Sequence, residues 1–173
     1  MALIKKVNGH SPQFGEDCYL ADNATVIGEV TMGKECSVWF QAVVRGDVHY
    51  IKIGDKVNIQ DGAILHCTYQ KAPLNIGNNV SIGHRALVHG CTIEDNVLIG
   101  MGAIVMDHAI VKKNTIIAAG AIVLENTICE ENSIYAGIPA RKVKSLDEAT
   151  FKNQIERISN NYVMYSGWFK EEN

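Results

Sequence analysis

The chain has 173 residues and a formal net charge of -3. That length suits one domain with a real core, and the mildly acidic balance offers no electrostatic footprint for nucleic acid. No apolar stretch approaches the ~20 residues of a membrane helix, and the opening MALIKKVNGHSPQFG has no apolar run of signal-peptide length; a cytoplasmic location is expected.

From Phe14 onward the sequence is periodic. An apolar residue recurs every six positions at Phe14, Leu20, Val26, Met32, Val38 and Val44. After a short slip it resumes at Ile53, Ile59 and Leu65, and after a longer interruption at Ile76, Ile82 and Val88. The series continues through Ile93, Ile99, Val105, Val111, Ile117 and Val123, and its last turn is read at Ile128 and Ile134. Four positions beyond most of these stands a small or β-branched residue, such as Ala24, Cys36, Ala42, Val57, Ala63, Ala86 or Ala103; Asn132 breaks the rule. Two inward positions in six, separated by Gly, Asp and Asn, predict short strands joined by tight corners. The period is not helical. Three hexads would close one triangular turn, and successive turns would pair as parallel strands ~4.8 Å apart. The fold class read here is an all-β solenoid, a parallel β-helix of hexapeptide repeats over residues 1–140.

After Ile134-Tyr-Ala-Gly-Ile-Pro139 the pattern changes. Ser145-Leu-Asp-Glu148 has the form of a capping box, and Leu146, Ile155, Ile158 and Tyr162 recur at helix-like spacing. A C-terminal α-helix is therefore predicted from 145 to about 166, within a segment 141–173 packed on the prism. The five cysteines, Cys18, Cys36, Cys67, Cys91 and Cys129, are odd in number and lack a CxxC. Neither a disulfide framework nor a thiolate zinc knuckle is expected. Cys67 and Cys91 lie close to histidines in sequence and are the candidates for redox sensitivity.

Register sorts the polar residues. Arg45, His66 and His89 each follow the inward residue of the third hexad in their turn, so they stack in one column on three successive coils. Asp61 and His84 both lie two positions past the second hexad's inward residue and form a second column. His66 and His89 could share one ion. His84 could not join them within one chain, because a metal–nitrogen bond is only ~2.0–2.1 Å long. A cyclic trimer would bring His84 from a neighbour and, one coil down, Arg45 near the neighbour's Asp61. His10, His49 and His108 have no partners in register and are read as surface residues.

Arg45-Gly-Asp47, Asn58-Ile-Gln-Asp-Gly-Ala-Ile-Leu-His66 and Ile82-Gly-His-Arg-Ala-Leu-Val-His-Gly90 together resemble the γ-class carbonic anhydrases and their close homologues. The likeness covers almost the whole chain. It implies a left-handed β-helix, a homotrimer, and a metal held by His66 and His89 of one subunit and His84 of the next. The implied cofactor is Zn²⁺, with Fe²⁺ or Co²⁺ as alternatives. The implied reaction is reversible hydration of CO₂ to bicarbonate by solvent activated on that metal. Arg45, Asp47 and Asp61 would organise the site and its subunit contacts. Gln60 would orient solvent, Asn58 would sit near the substrate, and Tyr162 would approach the site; Gln60 and Asn58 also read as ordinary corner residues. The sequence departs from the best-known active members in two places. Val48 stands where they carry a glutamate, and the loop Cys67-Thr-Tyr-Gln-Lys-Ala-Pro-Leu74 has no carboxylate for proton transfer. Two other readings keep the fold: a non-catalytic metal-bearing scaffold, and a CoA-dependent acyltransferase.

Overall fold

The computed structural model describes residues 1–171. It is a parallel β-solenoid of about seven turns with a single C-terminal helix. Most strands are two or three residues long, and each lies in register on the strand one coil earlier. Val26, Val44, Leu65, Val88, Val105 and Val123 form one inward column. Leu20, Val38, Ile59, Ile82, Ile99 and Ile117 form a second. Met32, Ile53, Ile76, Ile93 and Val111 form the third. All but the first-coil Leu20 are buried, and they make the core. Burying such side chains contributes roughly 1.5–3 kcal/mol each, and the triangular section follows from three strands per turn.

The last turn corrects the register read from hydropathy. Val111 pairs with Cys129 and Ile117 with Tyr135, so Cys129 and Tyr135 point inward. Ile128 is exposed and Ile134 only half-buried. The six-residue spacing therefore runs unbroken from Ile93 to Tyr135, and the two isoleucines misled because they are the stronger hydrophobes. With that shift the small residue four beyond Cys129 is the fully buried Ser133, and the exception at Asn132 disappears.

One corner of the prism carries a ladder. Asn79, Asn96, Asn114 and Asn132 all adopt positive φ, a conformation asparagine tolerates well. Their side-chain amides hydrogen-bond from coil to coil at 2.7, 3.2 and 2.9 Å. A different corner absorbs the irregular spacing. Val44 and Ile53 stand nine residues apart and Leu65 and Ile76 eleven, where six is the rule. The strands Thr25–Met32 and Val43–Ile53 run continuously round this corner. One coil later the chain bulges into loop 67–74, closed on itself by pairing of Thr68 with Ala72.

Beyond the solenoid, Arg141–Ser145 forms a strand antiparallel to Ser133–Ala136 and covers the open edge of the final coil. Ser145 is consumed in that pairing, so the capping box does not form. The cap is Asp147, whose carboxylate accepts from the Thr150 N–H at 2.7 Å. The helix comprises Glu148–Thr150, a π-type stretch Phe151–Glu156, and Arg157–Glu171. It buries Ile155, Ser159 and Ser166. It runs past residue 166 because Phe169 packs on Tyr19, Trp39 and Phe40. No helix among the described residues is long and apolar enough to cross a membrane.

Candidate metal centre

The two polar columns form as register requires. Leu65 pairs with Val88 and His66 with His89, with Arg45 one coil below. His66 Nδ1 faces His89 Nε2 at 3.1 Å. On the second face Asn58 pairs with Ser81 and Ile59 with Ile82, which puts Asp61 and His84 side by side. His84 Nδ1 lies 2.9 Å from Asp61 Oδ2. Within one chain, His84 thus keeps separate company from the other two. Among the described residues of a single chain no group of three His, Cys, Asp or Glu side chains converges.

Each outward histidine nitrogen rests on a carboxylate. His66 Nε2 is 3.1 Å from Asp47 Oδ1, and Arg45 donates to the other Asp47 oxygen at 2.6 Å. His89 Nδ1 is 2.5 Å from Asp107 Oδ1, and the Thr68 hydroxyl donates to Asp107 Oδ2 at 2.5 Å. Burial would raise both carboxyls, but the hydrogen bonds from Arg45 and His66 on Asp47, and from Thr68 and His89 on Asp107, outweigh it and hold both below the usual range. Burial pushes the His66 imidazole down, against the opposing pull of Asp47. Ionised carboxylates only accept, so His66 and His89 each commit their proton to the outer nitrogen. In neutral imidazoles the facing nitrogens then present two lone pairs to one point. Two ligands on a tetrahedral ion with ~2.0–2.1 Å bonds sit about 3.3 Å apart. The observed 3.1 Å fits that requirement, and carboxylate-backed imidazoles are what metal-ligating histidines ordinarily show.

The remaining site residues lie under the helix. Gln60 and Asn58 point out of the prism yet are 5 % and 2 % exposed, because the helix covers this face. The Gln60 amide donates to Asn58 Oδ1 at 2.9 Å, and the Asn58 amide to Ser81 Oγ at 2.8 Å. Gln60, His84 and Tyr162 line one groove of about 380 Å³ whose walls are Leu98, Ile116, Ala118 and Ile158. Tyr162 Oη approaches His84 Nε2 at 3.4 Å. Burial, reinforced by Asp61, pushes the Tyr162 phenol up to about 12, so it serves as a hydrogen-bond donor and not as a base near neutrality. Its ring packs edge-on against Trp39, 5.3 Å between centroids.

Several expectations need adjustment. His10 and His108 are exposed, but His49 is half-buried, with Nδ1 accepting from the Tyr50 N–H at 2.9 Å. Cys67 and Cys91 are buried, and burial raises both thiols, Cys67 to about 12, so neither is a reactive thiolate. The thiol that moves the other way is Cys18, lowered to about 7 chiefly by a hydrogen bond from Cys36. Asp107 and Thr68 were not singled out from sequence. Asp107 lies one coil beyond Gly90 at the same register, and the signal was there: a glycine directly after His89. A Cβ on Gly90 would lie 2.5 Å from Asp107 Oδ1.

The chain is similar to known proteins along nearly its whole length. The family model for the bacterial transferase hexapeptide (six repeats) matches residues 90–125. Over 168 residues the chain is 44% identical to a carbonic anhydrase of Geobacillus kaustophilus, covering 97% of this chain and 91% of that protein. It is 36% identical over 175 residues to the mitochondrial gamma carbonic anhydrase 2 of Arabidopsis thaliana, covering 98% of this chain and 63% of the other. A Bacillus cereus crystal structure named as a candidate acetyltransferase superposes with a TM-score of 0.96 at 34% identity, covering 99% of both chains.

Proposed function

The chain belongs to the γ-class carbonic anhydrase-like family of hexapeptide-repeat proteins, and from that premise we propose that it is a metal-dependent hydratase of CO₂ assembled as a homotrimer. The observation that carries this reading is the facing pair of His66 and His89 nitrogens, 3.1 Å apart, each backed by a carboxylate. His66 and His89 would hold the ion with His84 from a neighbouring copy, and zinc is the first choice of metal. A zinc ion on three neutral imidazoles supplies Lewis acidity and lowers the pKa of its water to ~7, the value known for carbonic anhydrase.

The rest falls to the chain's own residues. Asp47, Asp61 and Asp107 fix the imidazole tautomers. Gln60, held by Asn58, presents its amide beside His84 and would orient solvent. The apolar wall of Leu98, Ile116 and Ile158 suits an uncharged, weakly hydrated substrate. Tyr162, whose hydroxyl lies 3.4 Å from His84 Nε2, would donate a hydrogen bond to a group bound there. The proton released by hydration must reach solvent without help from loop 67–74, which carries no carboxylate. Turnover should therefore depend steeply on external buffer.

The test is stopped-flow CO₂ hydration on protein of known mass in solution and known metal content, loaded in turn with Zn²⁺, Co²⁺ and Fe²⁺, with His89→Ala beside it. A trimer that binds one metal per chain and hydrates CO₂, with both properties lost in His89→Ala, is the expected result. A monomer, or hydration undiminished in the mutant, would refute the proposal. A second reading, a metal-bearing scaffold without hydratase activity, is favoured by Val48 and the carboxylate-free loop; it predicts full metal occupancy, an intact trimer and no hydration at any buffer concentration.

A further inference from the structure

Two relays of the same form converge on the facing nitrogens. In one, Arg45 grips Asp47 and Asp47 holds His66 Nε2. In the other, Thr68 grips Asp107 and Asp107 holds His89 Nδ1. The first is built into a continuous strand, Val43–Ile53. The second depends on loop 67–74, the five-residue excess that separates Leu65 from Ile76. We propose that Thr68 and Asp107 are positioning residues that fix His89 in the tautomer and orientation needed for metal binding, so that loop 67–74 sets the affinity of the site through one hydroxyl. This rests on the metal-centre reading above and gives the loop a task other than proton transfer.

The surroundings favour this task over mere loop packing. Asp107 leaves its own coil to reach the loop: Thr68 is 39 residues away in sequence. Gly90 lies beneath the carboxylate, and only the absence of a side chain there leaves room for it. Ala72 closes the loop by accepting from and donating to the Thr68 backbone at 3.2 Å, so the hydroxyl is delivered by a structured turn. A carboxylate oxygen already engaged by Thr68 cannot rotate away from His89. Without that grip the carboxyl can swing, the Nδ1–H loses its acceptor, and the imidazole can exchange tautomers or turn its Nε2 from His66.

The experiment uses full-length protein, zinc alone as the probe in competition with a chromophoric chelator, and two-bond ¹H–¹⁵N spectra that read histidine tautomers in the metal-free state. Thr68→Val should weaken zinc binding about tenfold and Asp107→Asn by ~10–100-fold. Thr68→Ser, which keeps the hydroxyl, should restore wild-type affinity. In the spectra, wild-type His89 should carry its proton on Nδ1, and both weakened variants should show a mixed tautomer with an unchanged thermal midpoint for Thr68→Val. Wild-type protein that binds zinc while Thr68→Val binds it equally well overturns the positioning role and leaves the metal centre standing. Wild-type protein that takes up no zinc overturns the metal centre and this role together. A His89 tautomer unmoved by Asp107→Asn also overturns the role.

Discussion

Replacing Gly90 with alanine isolates how tightly the site is built, because a matched control exists in the same molecule. Gly90 has φ +49°, and Gly102 has φ +67°. Both substitutions place an L-residue in the left-handed region, at about 1–2 kcal/mol. They differ only in what the new methyl meets. At Gly102 nothing lies within 4 Å, whereas at Gly90 the Cβ would stand 2.5 Å from Asp107 Oδ1 and 2.7 Å from the Ala72 Cβ. The carboxylate can retreat only by releasing Thr68 and His89, and the Ala72 atom is fixed to the loop backbone. Overpacking of this kind costs about 1–3 kcal/mol. Gly102→Ala should thus lose about 1–2 kcal/mol and Gly90→Ala about 2–5 kcal/mol. A gap near 2 kcal/mol is roughly a thirtyfold change in the folding equilibrium. Urea titration of the metal-free proteins, followed by far-ultraviolet circular dichroism, measures both. Equal losses in the two variants would refute the argument, since they would mean that the Asp107 carboxylate is free to move.

Two further expectations concern the helix. Ile155 is 1 % exposed and anchors the helix on the prism, so Ile155→Ala should cost about 2–5 kcal/mol, and protease nicking of the segment after 147 should accelerate while the solenoid's circular dichroism persists. Tyr162, whose folded value near 12 lies above the ordinary 10, contributes stability that is intact below pH 10 and is lost as pH rises through about 12. Tyr162→Phe should flatten the alkaline limb of the unfolding profile between those values, and an unchanged limb would show that its burial is not what opposes ionisation.

The solenoid itself was legible because a repeat fixes which residues stack. Knowing that His66 and His89 follow Leu65 and Val88 was enough to place them on adjacent coils, and the pairing Asp61–His84 came the same way. Spacing proved a better guide than hydrophobicity: Cys129 and Tyr135 keep the period and Ile128 and Ile134 do not. What escaped was everything that depends on a corner. Asp107 reaches back across coils to a loop whose path no period dictates, and its partner Thr68 lies in the longest interruption of the repeat. The helix start was misjudged because Ser145 had two uses open to it, and strand pairing with Ser133 won. The burial of Asn58 and Gln60 likewise depends on a helix that arrives about a hundred residues later.

That helix has a consequence for how the molecule comes apart. A stack of coils in which each touches only its neighbours can fray from either end. Here Lys170 donates to the Asp17 carbonyl at the first coil, Lys56 to Asn160 part-way along, and Ser159 to Asn79 at the end of the asparagine ladder. One rod thus ties together the storeys that carry Asp17, Lys56 and Asn79, and none of these can peel away alone while the rod stays docked. Those storeys should then lose order together, and only after the rod has let go.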